Sequence, residues 1–210
     1  MKPLVMVGAG PGSLPRIVAE AAAAAGRPLA GYLDAGEDPQ PPPTPIPCLG
    51  DEARLADPAF LAAHDLVVAV QGPGRRGLIQ RILDAGGVVP VLAHPAAVVS
   101  PSAQIGAGTI LSAGAIVQQD ARIGRFCVLN TACSVDHDNQ VGDGVSFGPG
   151  SHTAGGVTIG DYAFIGLGAL ILNRLTVGPR ATVGAGAVVT RNVPAGATVV
   201  GNPARLLEKR

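Results

Sequence analysis

Residues 105–189 read IGAGTI LSAGAI VQQDAR IGRFCV LNTACS VDHDNQ VGDGVS FGPGSH TAGGVT IGDYAF IGLGAL ILNRLT VGPRAT VGAGAV V. Divided in this way, every hexad opens on an apolar side chain: Ile105, Leu111, Val117, Ile123, Leu129, Val135, Val141, Phe147, Ile159, Ile165, Ile171, Val177, Val183 and Val189. Thr153 is the single exception, and there is no insertion. On an α-helix six residues advance by about 600°, so such a series would spiral off any one face. Along a strand six is an even number, and the same face returns inward each time.

A short strand and a turn in every hexad satisfy both facts. The residues four places after each opening residue are again small or apolar: Thr109, Ala115, Ala121, Cys127, Cys133, Ala163, Ala169, Ala181 and Ala187. Glycine often follows the opening residue directly (Gly106, Gly124, Gly142, Gly148, Gly160, Gly166, Gly178, Gly184), which predicts corners that glycine tolerates and other residues resist. The expected architecture is a parallel β-helix of hexapeptide repeats. Five 18-residue coils over 105 to 194, with strands about 4.8 Å apart, give a prism roughly 24 Å tall.

The first 93 residues have a different grammar and form a separate α/β domain, with the β-helix and a C-terminal tail over 94–210. Strands are expected at Pro3–Gly8, Pro28–Leu33, Asp65–Val70 and Val88–Val91, with helices at Leu14–Ala25, Asp51–Leu55, Ala59–Ala63 and Gly77–Ala85. Gly36–Pro47 reads as an extended proline-rich loop. Alternating strand and helix predict a parallel sheet. Strand one ends in Gly8-Ala9-Gly10-Pro11-Gly12 and runs into a helix N-terminus, an arrangement able to accept a phosphate. Asp34, closing strand two, stands where a ribose-binding acid stands in dinucleotide folds. A tight structural turn explains the glycines equally well. The domain is half the length of a full Rossmann fold, which favours a nucleotide or nucleotide-sugar over a dinucleotide.

Composition narrows the function classes. Lys plus Arg and Asp plus Glu each number 15, so the formal net charge is zero, and no basic stripe supports nucleic-acid or anionic-membrane binding. No apolar run reaches the roughly 18 residues needed to span a bilayer. Met1 leads into a strand without a signal-peptide pattern. Cys48, Cys127 and Cys133 form an odd, sparse set, and the latter two occupy inward repeat positions, as buried free thiols would. A cytoplasmic enzyme is the expectation.

Among His64, His94, His137 and His152, the third breaks the repeat. It lies in Ser134-Val135-Asp136-His137-Asp138-Asn139, off the inward positions, where a polar cluster replaces the usual glycine turn. Histidine suits proton transfer near neutral pH, and an adjacent carboxylate holds its tautomer. If residues 18 apart stack, Gly155 lies over His137 and Gly156 over Asp138, leaving room for a ligand. A solvated turn fits the same residues. His152 is not in that register, so no histidine trio for zinc is assembled and no metal is expected. His64 and His94 are expected to be structural.

Taken together, the α/β half, the Ser134–Asp138 cluster, Gly184-Ala185-Gly186-Ala187 and the closing Val200-Gly201-Asn202-Pro203-Ala204-Arg205 resemble the sialic-acid O-acetyltransferase and bacillosamine-pathway N-acetyltransferase family of hexapeptide-repeat acyltransferases. The resemblance implies a left-handed β-helix, a homotrimer with sites between neighbouring subunits, and acetyl transfer from acetyl-CoA to an amino- or hydroxy-sugar. It implies His137 as general base and Asp138 as its partner. Acetyl-CoA would meet Gly155, Leu167 and Ala185, with Asn202, Pro203 and Ala204 near its adenylate, while Gly8, Gly10 and Asp34 would hold a nucleotide-sugar. The chain departs from the family in lacking a histidine in Gly10-Pro11-Gly12-Ser13-Leu14-Pro15-Arg16, and in having Ser146 where a second histidine often follows the base. A non-catalytic scaffold, a nucleotide-sugar sensor and an acyltransferase for a non-sugar acceptor are the alternatives.

Overall fold

The computed structural model describes residues 1–10, 12–34, 45–70 and 74–207. Most of the proline-rich loop expected at Gly36–Pro47 therefore lies outside the described residues, as do Pro11 and Gln71-Gly72-Pro73. The chain divides into two compact units, Met1–Pro95 and Ala96–Arg210.

In the first unit, β1 (Leu4–Val7), β2 (Leu29–Asp34), β3 (Cys48–Asp51) and β4 (Asp65–Val68) form a parallel sheet in the order β3-β2-β1-β4. All four residues of β1 are buried, as expected of a central parallel strand covered on both faces. The helix α1 (Ser13–Ala24) packs Leu14, Val18, Ala21 and Ala22 inward at helical spacing. Its Pro15 is tolerated in the first turn, where no intrahelical N–H is owed. The chain leaves the helix at Gly26, whose φ of 66° only glycine adopts cheaply. Two shorter helices follow, α2 (Pro58–Ala63), capped by the Asp57 carboxylate, and α3 (Gly74–Asp84). Two expectations change here. Strand β3 was not foreseen, because this largely exposed edge strand lacks an apolar alternation. The strand expected at Val88–Val91 shrinks to a bridge between Val88 and Asp65.

The second unit is a left-handed β-helix. Each hexad contributes a two-residue strand, and strands 18 residues apart pair in parallel, as in Arg122↔Gln140 and Ser134↔His152. Three faces result. We call them the Gln104 face (Gln104, Arg122, Gln140, Thr158, Thr176), the Ile110 face (Ile110, Val128, Ser146, Phe164, Thr182) and the Val98 face (Val98, Ile116, Ser134, His152, Leu170, Val188), after their outward side chains. The opening residues of the hexads fill the interior, with Leu129, Val135, Ile165 and Val183 fully buried. Burying each such side chain contributes about 1.5–3 kcal/mol. Thr153, the exception, is buried as well, and its hydroxyl accepts the Asp136 N–H at 3.3 Å. The free thiols of Cys127 and Cys133 are buried, and burial pushes the Cys133 thiol up to about 12.

The corners correct the reading of the glycines. Left-handed backbone falls three residues after each opening residue, at Gly108, Gly114, Asp120, Phe126, Ala132, Asp138 and so on to Gly186. Half of these positions are not glycine. Their strain is offset because each N–H reaches the coil below, as Asp138 N does to Gln119 O at 3.1 Å. The glycines directly after the opening residues are needed for a different reason. A Cβ on Gly124 would stand 2.5 Å from the Gly142 carbonyl, so the next coil passes too close for any side chain. The 18-residue register also ends sooner than expected. The last coil is shorter, pairing Val177 with Val193 and Val183 with Val199. Thr198–Val200 then turns back through Gly201–Ala204 to the antiparallel strand Arg205–Leu206.

Candidate active site

His137 and Asp138 lie on the edge where the Val98 face turns into the Gln104 face. The left-handed conformation of Asp138 (φ 59°) folds its carboxylate back, so that the His137 Nδ1–H donates to Asp138 Oδ2 at 2.8 Å. This fixes the tautomer and leaves Nε2 as the basic nitrogen. The Asp138 hydrogen bond, helped by the charges of Asp136 and Asp138, raises the His137 pKa above its ordinary value. The two side chains are 57% and 65% exposed, so the base is open to a ligand.

One coil above, Gly155 stands opposite the imidazole. A Cβ there would collide with Nε2 and lie 2.5 Å from Cε1. The Gly156 N–H donates to the His137 carbonyl at 2.9 Å, confirming the 18-residue stacking. The Gly155 N–H has no hydrogen-bond partner among the described residues. The turn is further secured by the His137 N–H, which donates to Asp136 Oδ1 at 2.8 Å.

The other expected contacts divide between places. Leu167 and Ala185 lie on a different edge, between the Ile110 and Val98 faces, stacked one coil apart with Gly186 N donating to Leu167 O at 2.8 Å. Asn202, Pro203 and Ala204 continue that edge upward, since Ala204 N donates to Val188 O and Val188 N to Gly201 O. The Asn202–Pro203 bond is cis. Leu167 is 59% exposed, and Ala185 and Pro203 are also exposed, so this edge is an apolar track. Within one chain the Val98 face therefore separates this track from His137 and Gly155. In the first unit, Gly8 and Asp34 end the neighbouring strands β1 and β2, with Gly8 N donating to Leu33 O at 3.0 Å. Space beside Gly10 is open, and α1 begins without a side-chain cap.

Two histidines have local roles. His152 pairs through Nδ1 with the Ser134 hydroxyl at 2.8 Å on the Val98 face, and His64 bonds the Phe60 carbonyl at 2.9 Å. An open groove of about 530 Å³ runs along the Gln104 face, but none of the expected site residues lines it. One residue of the site escaped the sequence reading. Asn139 is fully buried and donates to the carbonyls of Asp136, His137 and Ala154. Its signal was a polar side chain in the column four residues after each opening residue, among Ala121 and Val157.

No protein-family model matches the chain, and no curated protein matches it in sequence. Solved structures do. A histidine-to-alanine variant of GDP-perosamine N-acetyltransferase from Caulobacter crescentus, in complex with CoA and GDP-perosamine, superposes with a TM-score of 0.90 at 33% identity, over 98% of this chain and 97% of that one. The acetyltransferase domain of PglB from Neisseria gonorrhoeae, in complex with acetyl coenzyme A, gives 0.88 at 37% identity over 97% and 98%. WeeI from Acinetobacter baumannii gives 0.85 at 29% identity over 99% and 100%.

Proposed function

Since the chain belongs to the hexapeptide-repeat sugar N-acetyltransferases, we propose that it moves the acetyl group of acetyl-CoA to the amine of a nucleotide-linked sugar, with His137 as general base. The observation that carries this reading is the His137–Asp138 pair facing a glycine on the next coil. His137 Nε2 takes a proton from the amine as nitrogen attacks the thioester carbonyl. The negative charge on the carbonyl oxygen is met by the Gly155 N–H, which has no acceptor among the described residues. When the carbon–sulfur bond breaks, the imidazolium returns its proton to the departing thiolate, and the base is restored. Asp138 keeps Nδ1 protonated and offsets the transient positive charge on the ring.

The residues present fit acetyl-CoA. Gly155 leaves a cradle that a Cβ would fill, and Leu167, Ala185 and Asn202–Ala204 offer an exposed apolar track for the pantetheine arm and adenylate. That track and His137 lie on different edges of one prism, which favours a homotrimer in which one subunit supplies the base and its neighbour the track. The exposed Phe164 on the Ile110 face and Val98 and Leu170 on the Val98 face are the apolar surfaces such packing would cover. Gly8, Gly10 and Asp34 would hold the nucleotide, with the uncapped start of α1 toward a phosphate. No helix among the described residues is long and apolar enough to cross a membrane, and we place the enzyme in the cytoplasm, where nucleotide-sugars are made.

The test is thiol release from acetyl-CoA with a panel of nucleotide-linked amino-sugars, GDP-perosamine among them. Release dependent on an amino-sugar and abolished in His137→Ala supports the reading. Tight acceptor binding with no release would identify a sensor instead.

A further inference from the structure

The interior of the β-helix is mostly apolar, and beside the small hydroxyls of Thr109, Ser112, Ser151 and Thr153, Asn139 is the largest polar side chain buried there among the described residues. It is fully buried on the edge directly behind His137, in a column whose neighbours are Ala121 below and Val157 above. Its carboxamide nitrogen donates to Asp136 O at 2.8 Å, to Ala154 O at 2.9 Å and to His137 O at 3.2 Å. Among the described residues its oxygen has no hydrogen-bond partner. That bare oxygen is a cost inside the prism, and it accompanies a donor that the Asp136 and Ala154 carbonyls would lose if the side chain were apolar. Local rules are broken in this way chiefly where function requires it.

We propose that Asn139 is a positioning residue for His137, tying the turn that carries the imidazole to the coil that carries Gly155. The proposal rests on His137 as the base. Two of the three carbonyls belong to the His137 turn, and the third belongs to Ala154, the residue before Gly155. One planar group inside the prism therefore sets the separation between base and glycine. The His137 carbonyl is held from both sides, by Asn139 within and by the Gly156 N–H from the next coil. Thr153 adds a lesser tie, its hydroxyl accepting the Asp136 N–H. The ring itself is more than half exposed and touches Asp138 and the Gly155 backbone, so its place depends on the two turns that carry them.

The experiment uses the full chain with Asn139→Val and Asn139→Cys. Valine matches Val157 in the same column. Cysteine retains one donor, as Cys127 does at an equivalent inward position, where its thiol reaches the Gly142 carbonyl at 3.2 Å. Melting temperature, kcat and KM with acetyl-CoA and GDP-perosamine, and NMR titration of the His137 ring are measured. Asn139→Val removes the donor to three carbonyls, so it is expected to remain folded while melting a few degrees lower, with kcat reduced about tenfold or more and KM for acetyl-CoA within about twofold. The charges acting on the ring are Asp138 and Asp136, and Gly155 opposite is neutral. A loosened turn weakens the Asp138 bond, so the His137 titration midpoint moves down. Asn139→Cys should recover part of both effects. A folded Asn139→Val with kcat within twofold of wild type, or with an unmoved His137 midpoint, overturns the proposal. The base reading fails separately, through a His137→Ala enzyme that keeps its turnover.

Discussion

Gly155→Ala separates the site from the fold more sharply than any other single change. Gly155 has an ordinary backbone conformation, so alanine introduces no strain of its own. The three atoms nearest the new methyl group all belong to the His137 ring: Nε2, Cε1 at 2.5 Å and Cδ2 at 3.1 Å. Ordinary contact needs about 3.5 Å, so the ring must retreat by about 1 Å. It can do so into solvent, because it is more than half exposed, and the fold should lose almost nothing. The catalytic consequence is different. A displacement of about 1 Å can cost on the order of 100-fold, or about 2.7 kcal/mol in barrier. Moving the ring also lengthens its 2.8 Å bond to Asp138. Thiol-release kinetics on the authentic acceptor, beside a melting curve, read both effects. The expected result is kcat/KM down about 100-fold with Tm shifted by only a few degrees. Turnover within about threefold of wild type, in a protein that melts normally, would refute the placement of the reacting atoms between His137 and Gly155.

The remaining predictions address the base, the core and the assembly. His137→Ala should lower kcat by about 10²–10⁴-fold with little change in acetyl-CoA affinity. The base must be neutral, so activity falls as pH drops through the His137 pKa. The Asp138 bond raises that pKa, hence Asp138→Asn should move the acid limb of the pH–rate profile to lower pH while also reducing its plateau. An unmoved limb would mean that another group titrates there. Ile165→Asp buries an unpaired charge at a fully enclosed position, a cost comparable to the whole stability of a domain, so soluble expression should be lost. Light scattering should give about three times the chain mass of 20.9 kDa, and Leu170→Asp should drive the protein toward monomer with loss of activity. A monomer that retains full activity would exclude a site shared between subunits.

The hexad register of 105–189 determined by itself that this chain contains a β-helix and which residues point inward, while the stacking of residues 18 apart was a condition that the strand pairing met. The first two follow from a period of six and from the apolar burial it imposes, and neither depends on contacts distant in sequence. The pairing of His137 with Asp138 and the gap above it at Gly155 were legible for the same reason. What only the tertiary structure decided arises where one coil touches the next. Glycines that directly follow opening residues, such as Gly124, are there because the next coil passes close over them, and the left-handed corner lies two residues later, at positions that include Asp138. The role of Asn139 depends on a carbonyl 15 residues away, at Ala154, which no local pattern announces. The division of the expected acetyl-CoA contacts between two edges depends on which face each turn joins. In the first unit, β3 was hidden because an edge strand can hold itself by backbone hydrogen bonds while its side chains stay in water.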